Sequence, residues 1–313
     1  MGAAARSARL RRIRILALLL SSLCLVIVLV SAYIRLSGAG LGCTPWPDCY
    51  GRLLVDGQGL QSAVARILHR SVATLALVLG FVLAWQCLRP QPIRPPANYA
   101  TALLALMILL TFIGLFSADP HRAWASFLNI LGGAGLVLIA WRTALAAGAE
   151  VPAAVPRTSS TLLHAGLGLL LATMALGALI GARYAATACP SLPGCSDAYW
   201  PAGGWDALNP FATITAAAGL GNEGGVALHL LHRYCALATL LLLGLGAFQA
   251  LGRAATRPGA ALLLVLLAAQ FALGVLTVLS GFGPEFAIAH SLGATLLLAT
   301  GMHVLVRARG RTA

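Results

Sequence analysis

The chain is poor in charge. Charged residues make up 9% of its 313 positions, against about a quarter in an ordinary soluble domain, and a water-soluble globular protein is excluded on that ground. Lysine is absent, and all 21 basic residues are arginine. Acidic residues number 8. They fall mainly in loops or at the ends of apolar runs, so a proton- or cation-coupled carrier would have few carboxylates to work with. No apolar run is interrupted at its middle by Gly and Pro beside an acid, the pattern expected of a transporter site. The net charge of +13 does not indicate nucleic acid. The arginines are scattered at the ends of apolar runs, and no basic segment is interleaved with aromatics. Barrel-type alternation of polar and apolar residues is missing too, which excludes a membrane β-barrel.

What is present is apolar sequence in long runs. Hydrophobic residues reach 59% and the mean hydropathy is +0.88. Eight runs lie at about 15–36, 62–86, 98–117, 124–145, 160–182, 225–249, 258–281 and 286–306. A bilayer core of about 30 Å needs about 20 apolar residues as helix. Lipid cannot satisfy an open backbone, so runs of this kind must be helical. The basic start, Met1–Arg14, followed by an apolar stretch to Ala32, is too long for a signal-peptide core and reads as a retained first helix. Arg6, Arg9, Arg11, Arg12, Arg14, Arg89, Arg94, Arg142, Arg157, Arg253, Arg257, Arg307, Arg309 and Arg311 would all lie on one side. The positive-inside rule makes that side cytoplasmic, with both termini on it and the chain in the plasma membrane.

Two long loops belong to the other side. One carries Cys43-Thr-Pro-Trp-Pro-Asp-Cys49, the other Cys189-Pro-Ser-Leu-Pro-Gly-Cys195. Each follows an odd-numbered run that ends near an arginine, Arg35 or Arg183. This is an internal repeat. It predicts an all-α integral membrane protein whose eight transmembrane helices form two tandem four-helix bundles, residues 1–150 and 151–313. Cys24, Cys87 and Cys235 fall within runs and read as small buried hydrophobes. Short Pro-containing loops in an oxidising compartment suit one disulfide each, Cys43–Cys49 and Cys189–Cys195. A redox role for the first pair stays open beside the staple reading. Zinc is disfavoured, because neither loop has a His nearby to complete four ligands.

Seven histidines occur. His164 and His303 lie near cytoplasmic run ends, where an interface accommodates them. His121 sits in a short loop with Asp119 and Arg122 and is expected to be solvated. His232 and His290 differ, since each lies a few residues in from the outer end of its run, so the two share a depth. Two readings fit: an axial pair for haem iron, or an interhelical hydrogen-bonding pair. No Met or Cys cluster supplies the further ligands copper or zinc would want. Arg233 or Arg183 would pair a haem propionate. His229 is one turn before His232 and either lines the same cavity or bonds a partner. In the first half the matching places hold Arg66, His69, Arg70 and Asn129, so one imidazole is kept and the second is absent.

Several motifs in this order resemble the haem A synthase family over nearly the whole chain. They are Arg35-Leu-Ser-Gly-Ala-Gly-Leu-Gly-Cys43 with Trp46-Pro-Asp-Cys49, His69-Arg70, Ala188-Cys-Pro-Ser-Leu-Pro-Gly-Cys195, His229-Leu-Leu-His232-Arg233, Gln270-Phe-Ala-Leu-Gly274 and Ala287-Ile-Ala-His290. The resemblance implies haem b bound in the C-terminal half by His232 and His290. It implies haem O as substrate in the N-terminal half, where one ring methyl is oxidised to formyl at a site ligated by His69. The Cys43–Cys49 pair would lie above that site, and haem A would pass to a terminal oxidase. Arg233, Arg70 and His229 complete the candidate cofactor contacts. Haem O synthase and an electron donor are the implied partners. Two positions depart from the family pattern: Arg66 stands where a Glu is usual, and Asn129 where a second His is usual. A second class of protein uses the same C-terminal ligands, a non-catalytic bis-His haem b carrier or assembly factor.

Overall fold

The computed structural model describes residues 3–38, 60–117, 119–148, 157–215 and 218–309. Cys43 and Cys49 lie outside these residues. Among the described residues there are eight long helices and no strands: α1 (Ala3–Gly38), α2 (Leu60–Leu88), α3 (Pro96–Gly114), α4 (Ala123–Ala146), α5 (Arg157–Ala182), α6 (Glu223–Ala250), α7 (Arg257–Leu279) and α8 (Pro284–Arg309). All eight are long and apolar enough to cross a membrane. The shortest, α3, has 19 residues, about 28 Å of helix, which just matches the hydrocarbon core. With 28 residues, α6 overshoots that thickness by about two turns.

Local sequence explains the ends. Asn222 caps α6, its side chain accepting from the Gly225 N–H at 2.9 Å, and Glu223 adds negative charge in the first turn. Pro96 opens α3 and Pro258 falls in the first turn of α7, where a missing N–H costs no helical bond. The first helix begins well before the apolar run does. From Ala3 to Arg14 the Arg-rich segment contains no Gly or Pro breaker, and arginine is a good helix former. Arg9 is buried there, donating from Nε to the Gln86 carbonyl at 2.7 Å and from Nη1 to the Gln91 carbonyl at 2.9 Å. It thereby fastens α1 to the connection between α2 and α3.

Among the described residues the two largest buried clusters lie one in each half of the chain. Ile13, Leu20, Leu83, Leu103 and Val137 anchor the first, drawn from α1 to α4. Leu163, Leu243, Leu263, Leu297 and Val304 anchor the second, drawn from α5 to α8. The halves meet where α1 and α4 pack on α5 and α8. At the loop end the seam is polar as well. His121, expected in solvent, instead donates Nδ1–H to the Ile214 carbonyl at 2.7 Å, and its own carbonyl accepts from the Ile214 N–H at 3.2 Å. A short loop of one half thus pairs with the long loop of the other. The tightest packing is between α5 and α6. A Cβ on Gly166 would come within 2.7 Å of the Leu243 backbone, and one on Gly246 within 3.0 Å of the Leu163 nitrogen. Small residues let two membrane helices approach this closely.

Candidate functional site

His232 and His290 come from α6 and α8, which lie diagonally across the second bundle and touch little elsewhere. Their ring centres are 6.3 Å apart with planes inclined by 66°. Metal–imidazole bonds of about 2 Å would put two in-line rings around one metal at centres roughly 6 Å apart. Each ring is backed by a glycine of a neighbouring helix. A Cβ on Gly177 of α5 would lie 3.1 Å from His232 Cε1, and one on Gly274 of α7 would lie 3.1 Å from His290 Cε1. All four helices therefore contribute, two with imidazoles and two with the bare backbone behind them.

The tautomer of His232 follows from its partner. Nδ1 lies 2.9 Å from the Thr173 carbonyl. A carbonyl only accepts, so Nδ1 carries the proton and Nε2 keeps its lone pair free for a ligand. On His290 the Nδ1 atom is enclosed and has no partner. The main-chain carbonyl of His290 accepts from Gln270 Nε2 at 2.9 Å, while Gln270 Oε1 is enclosed and unpaired.

The flanking residues hold the loop that closes the second bundle. Cys189 and Cys195 are joined by a disulfide. Arg233 donates from Nη1 to the carbonyls of Pro193 at 3.0 Å and Gly194 at 2.8 Å, and from Nη2 to the Cys189 carbonyl at 3.2 Å. Tyr234 donates its hydroxyl to the Tyr199 carbonyl and stacks on Trp200 at 5.9 Å. His229 is buried, donates Nε2–H to the Ala185 carbonyl at 3.0 Å, and meets the Phe282 ring edge-on. Arg183 donates to the Asn209 carbonyl at 3.1 Å. The polar residues after His232 thus fasten the loop at the level of the imidazole pair. A cavity of about 240 Å³ between this loop and the start of α6 is lined in part by Cys195, Trp200, Glu223 and Val226.

The remaining histidines fall elsewhere. His164 bonds the Ser160 carbonyl at 2.5 Å, and His303 packs on Trp141 at 5.8 Å. In the first half, His69 is half-buried on α2 and the Arg70 side chain is exposed. The two halves keep register. His69 and His232 each lie nine residues after the first residue of their helix, and Asn129 and His290 each lie six after theirs. The structure brings His232 and His290 together, and Asn129 stands where His290's counterpart would be.

Among the described residues no group of three or more His, Cys, Asp or Glu converges as a metal cage. Two imidazoles suit instead a metal whose other ligands come from a macrocycle, as in haem. The free Nε2 of His232, the unpaired Nδ1 of His290 and the two glycine-backed rings all fit that group. Thr173, Gly177, Gln270 and Gly274 were not singled out as site residues from sequence. Only Gln270 and Gly274 lay within a recognised motif. Thr173 acts through its backbone, which leaves no mark on residue type.

The chain is similar in sequence to known proteins. A sequence model of the COX15-CtaA family, described as cytochrome oxidase assembly proteins, matches residues 14–60 and 121–302. A haem A synthase of Shewanella oneidensis is 27% identical over 311 residues, covering 88% of this chain and 90% of that protein. A haem A synthase of Sphingopyxis alaskensis is 29% identical over 277 residues, covering 79% and 69%. One from Rhizorhabdus wittichii is 31% identical over 155 residues, covering 48% and 41%.

Proposed function

The chain belongs to the COX15-CtaA family of cytochrome oxidase assembly proteins, and from that premise we propose that it is a membrane enzyme oxidising haem O to haem A. One ring methyl of the substrate is hydroxylated twice, each time taking one atom of dioxygen with two electrons from a donor and two protons while the other oxygen atom leaves as water, and the resulting geminal diol loses water to leave a formyl group. The observation that carries the reading is the His232–His290 pair, with centres 6.3 Å apart on diagonal helices, inside a chain that matches haem A synthases over most of its length.

His232 and His290 would hold haem b in the half spanning 151–313, and that group supplies one-electron transfer when bound. The protein's own part is positional. The Thr173 carbonyl fixes the His232 tautomer, the two glycines leave room for the rings, and Arg233 keeps the disulfide loop over them. In the half spanning 1–150, His69 is the single axial ligand offered to the substrate, and Arg70 follows it as a propionate partner. Arg66 one turn earlier adds positive charge, which favours a dianionic porphyrin. Both termini lie in the cytoplasm and the disulfide loop lies outside, by the distribution of arginines. An electron donor and a haem O synthase are the partners this role requires.

Expression in a host that makes haem O but lacks its own synthase tests the proposal. Chromatography of extracted haems is expected to show haem A with the wild-type chain and none with His69→Ala. Membranes holding only haem b and haem O would overturn the enzymatic reading and leave a haem b protein.

A further inference from the structure

The geometry points to Gln270 as the positioning residue for His290: its amide bonds the His290 carbonyl through Nε2 and leaves Oε1 as the acceptor for the ring N–H. The inference rests on the reading of His232 and His290 as an axial pair. A ligating imidazole presents one nitrogen to the metal and needs an acceptor for the N–H of the other. His232 has one in the Thr173 carbonyl at 2.9 Å. His290 has none: its Nδ1 is enclosed and unpaired. Among the described residues the enclosed side-chain oxygen without a partner is Gln270 Oε1, and the same amide bonds the His290 carbonyl through Nε2 at 2.9 Å. The amide cannot be assigned the other way round, because Oε1 would then face the His290 carbonyl oxygen. With metal on His290 Nε2, the Nδ1–H has Gln270 Oε1 as its acceptor. Each ring is then held by a neutral carbonyl oxygen, one from the backbone of α5 and one from a side chain of α7.

The first half acts as an internal control. Three residues beyond His290, Gly293 opens the niche that takes the Gln270 amide, since a Cβ there would collide with Oε1. Three residues beyond Asn129, Gly132 opens the matching niche, and it takes the side chain of Leu110. Leucine fills that space without an amide, so packing alone does not call for Gln270. The amide and the second imidazole occur together in one half and are both missing from the other. A residue present only for volume would not follow the ligand in this way.

The test uses the full chain purified in detergent as wild type, Gln270→Leu and Gln270→Glu. Readouts are haem per chain, the low-spin electron paramagnetic resonance signal and the midpoint potential. Wild type is expected to carry one bis-imidazole low-spin haem that is lost in His232→Ala and in His290→Ala. Gln270→Leu is expected to shift the low-spin signal and lower haem occupancy while eluting as a folded species. Gln270→Glu should keep low-spin haem at a lower midpoint potential, because a carboxylate acceptor makes the imidazole more basic. Low-spin signal and potential unchanged in both variants would overturn the role of Gln270 and leave the axial pair standing. Wild-type protein without low-spin haem dependent on both histidines would remove the axial pair, and Gln270's role with it.

Discussion

A buried imidazole rarely has space to spare, and the two in the second bundle owe theirs to glycine. A side chain at Gly177 or Gly274 would start 3.1 Å from a ring carbon, closer than ordinary contact, and helix backbone cannot retreat easily. Gly177→Val is therefore expected to push His232 off its line with His290 and to lower haem content several-fold. The matched control is Gly168→Val on the same helix, where a Cβ meets nothing within 4 Å. Absorption of the two purified variants checks this, and equal haem content would refute it. Arg233 also has its role defined at this scale. Its sequence position suggests a propionate partner, and in the structure its guanidinium donates to three loop carbonyls. Arg233→Ala is expected to cost about 1 kcal/mol in loop closure, seen as a lower melting temperature. Lys should restore it only in part, since an ammonium lacks the planar fork. The hydrogen-bonding partners of His232 and Arg233 were not legible in the sequence because they are main-chain carbonyls. The His232–His290 pair was legible, because depth in the membrane follows from counting along helices of fixed pitch.

At the scale of helices, α5 and α6 are held more closely than any other neighbours, and glycine again decides it. Gly166 lies against the backbone of Leu243, and Gly246 against that of Leu163. In lipid there is no hydrophobic drive for helices to associate, so close van der Waals packing carries the contact. Gly166→Leu is expected to destabilise the chain by about 1–3 kcal/mol through overpacking, and Gly168→Leu to be neutral. Thermal unfolding in detergent separates them, and equal melting temperatures would contradict the packing argument. All eight helices were legible as runs of apolar residues. The extra turns at the start of α1 were not, because hydropathy reports which residues enter lipid and not where hydrogen-bonded backbone begins. The seam through His121 and Ile214 was hidden for a similar reason, being a backbone pairing between loops far apart in sequence.

Among the described residues the two halves of the sequence place their histidine and asparagine positions in register and differ in polar content. Among the described residues the second imidazole and the enclosed amide belong to one half. The other keeps His69 and the glycine niche at Gly132, with Asn129 and Leu110 in the ligand and amide places. If the backbone of the first bundle still has the shape of a two-ligand site, restoring the side chains should restore the site. Asn129→His places an imidazole six residues into α4, as His290 lies six residues into α8. The expected result is a rise in haem per chain and a second low-spin signal that disappears when His69 is replaced by Ala. Leu110→Gln added to Asn129→His should sharpen that signal, because the new imidazole then gains the acceptor that Gln270 offers to His290. Unchanged haem content in the Asn129→His chain would mean that the first bundle is not a vacant copy of the second. The repeat would then be one of helices alone, with the site belonging to the second half by its backbone as well as by its residues.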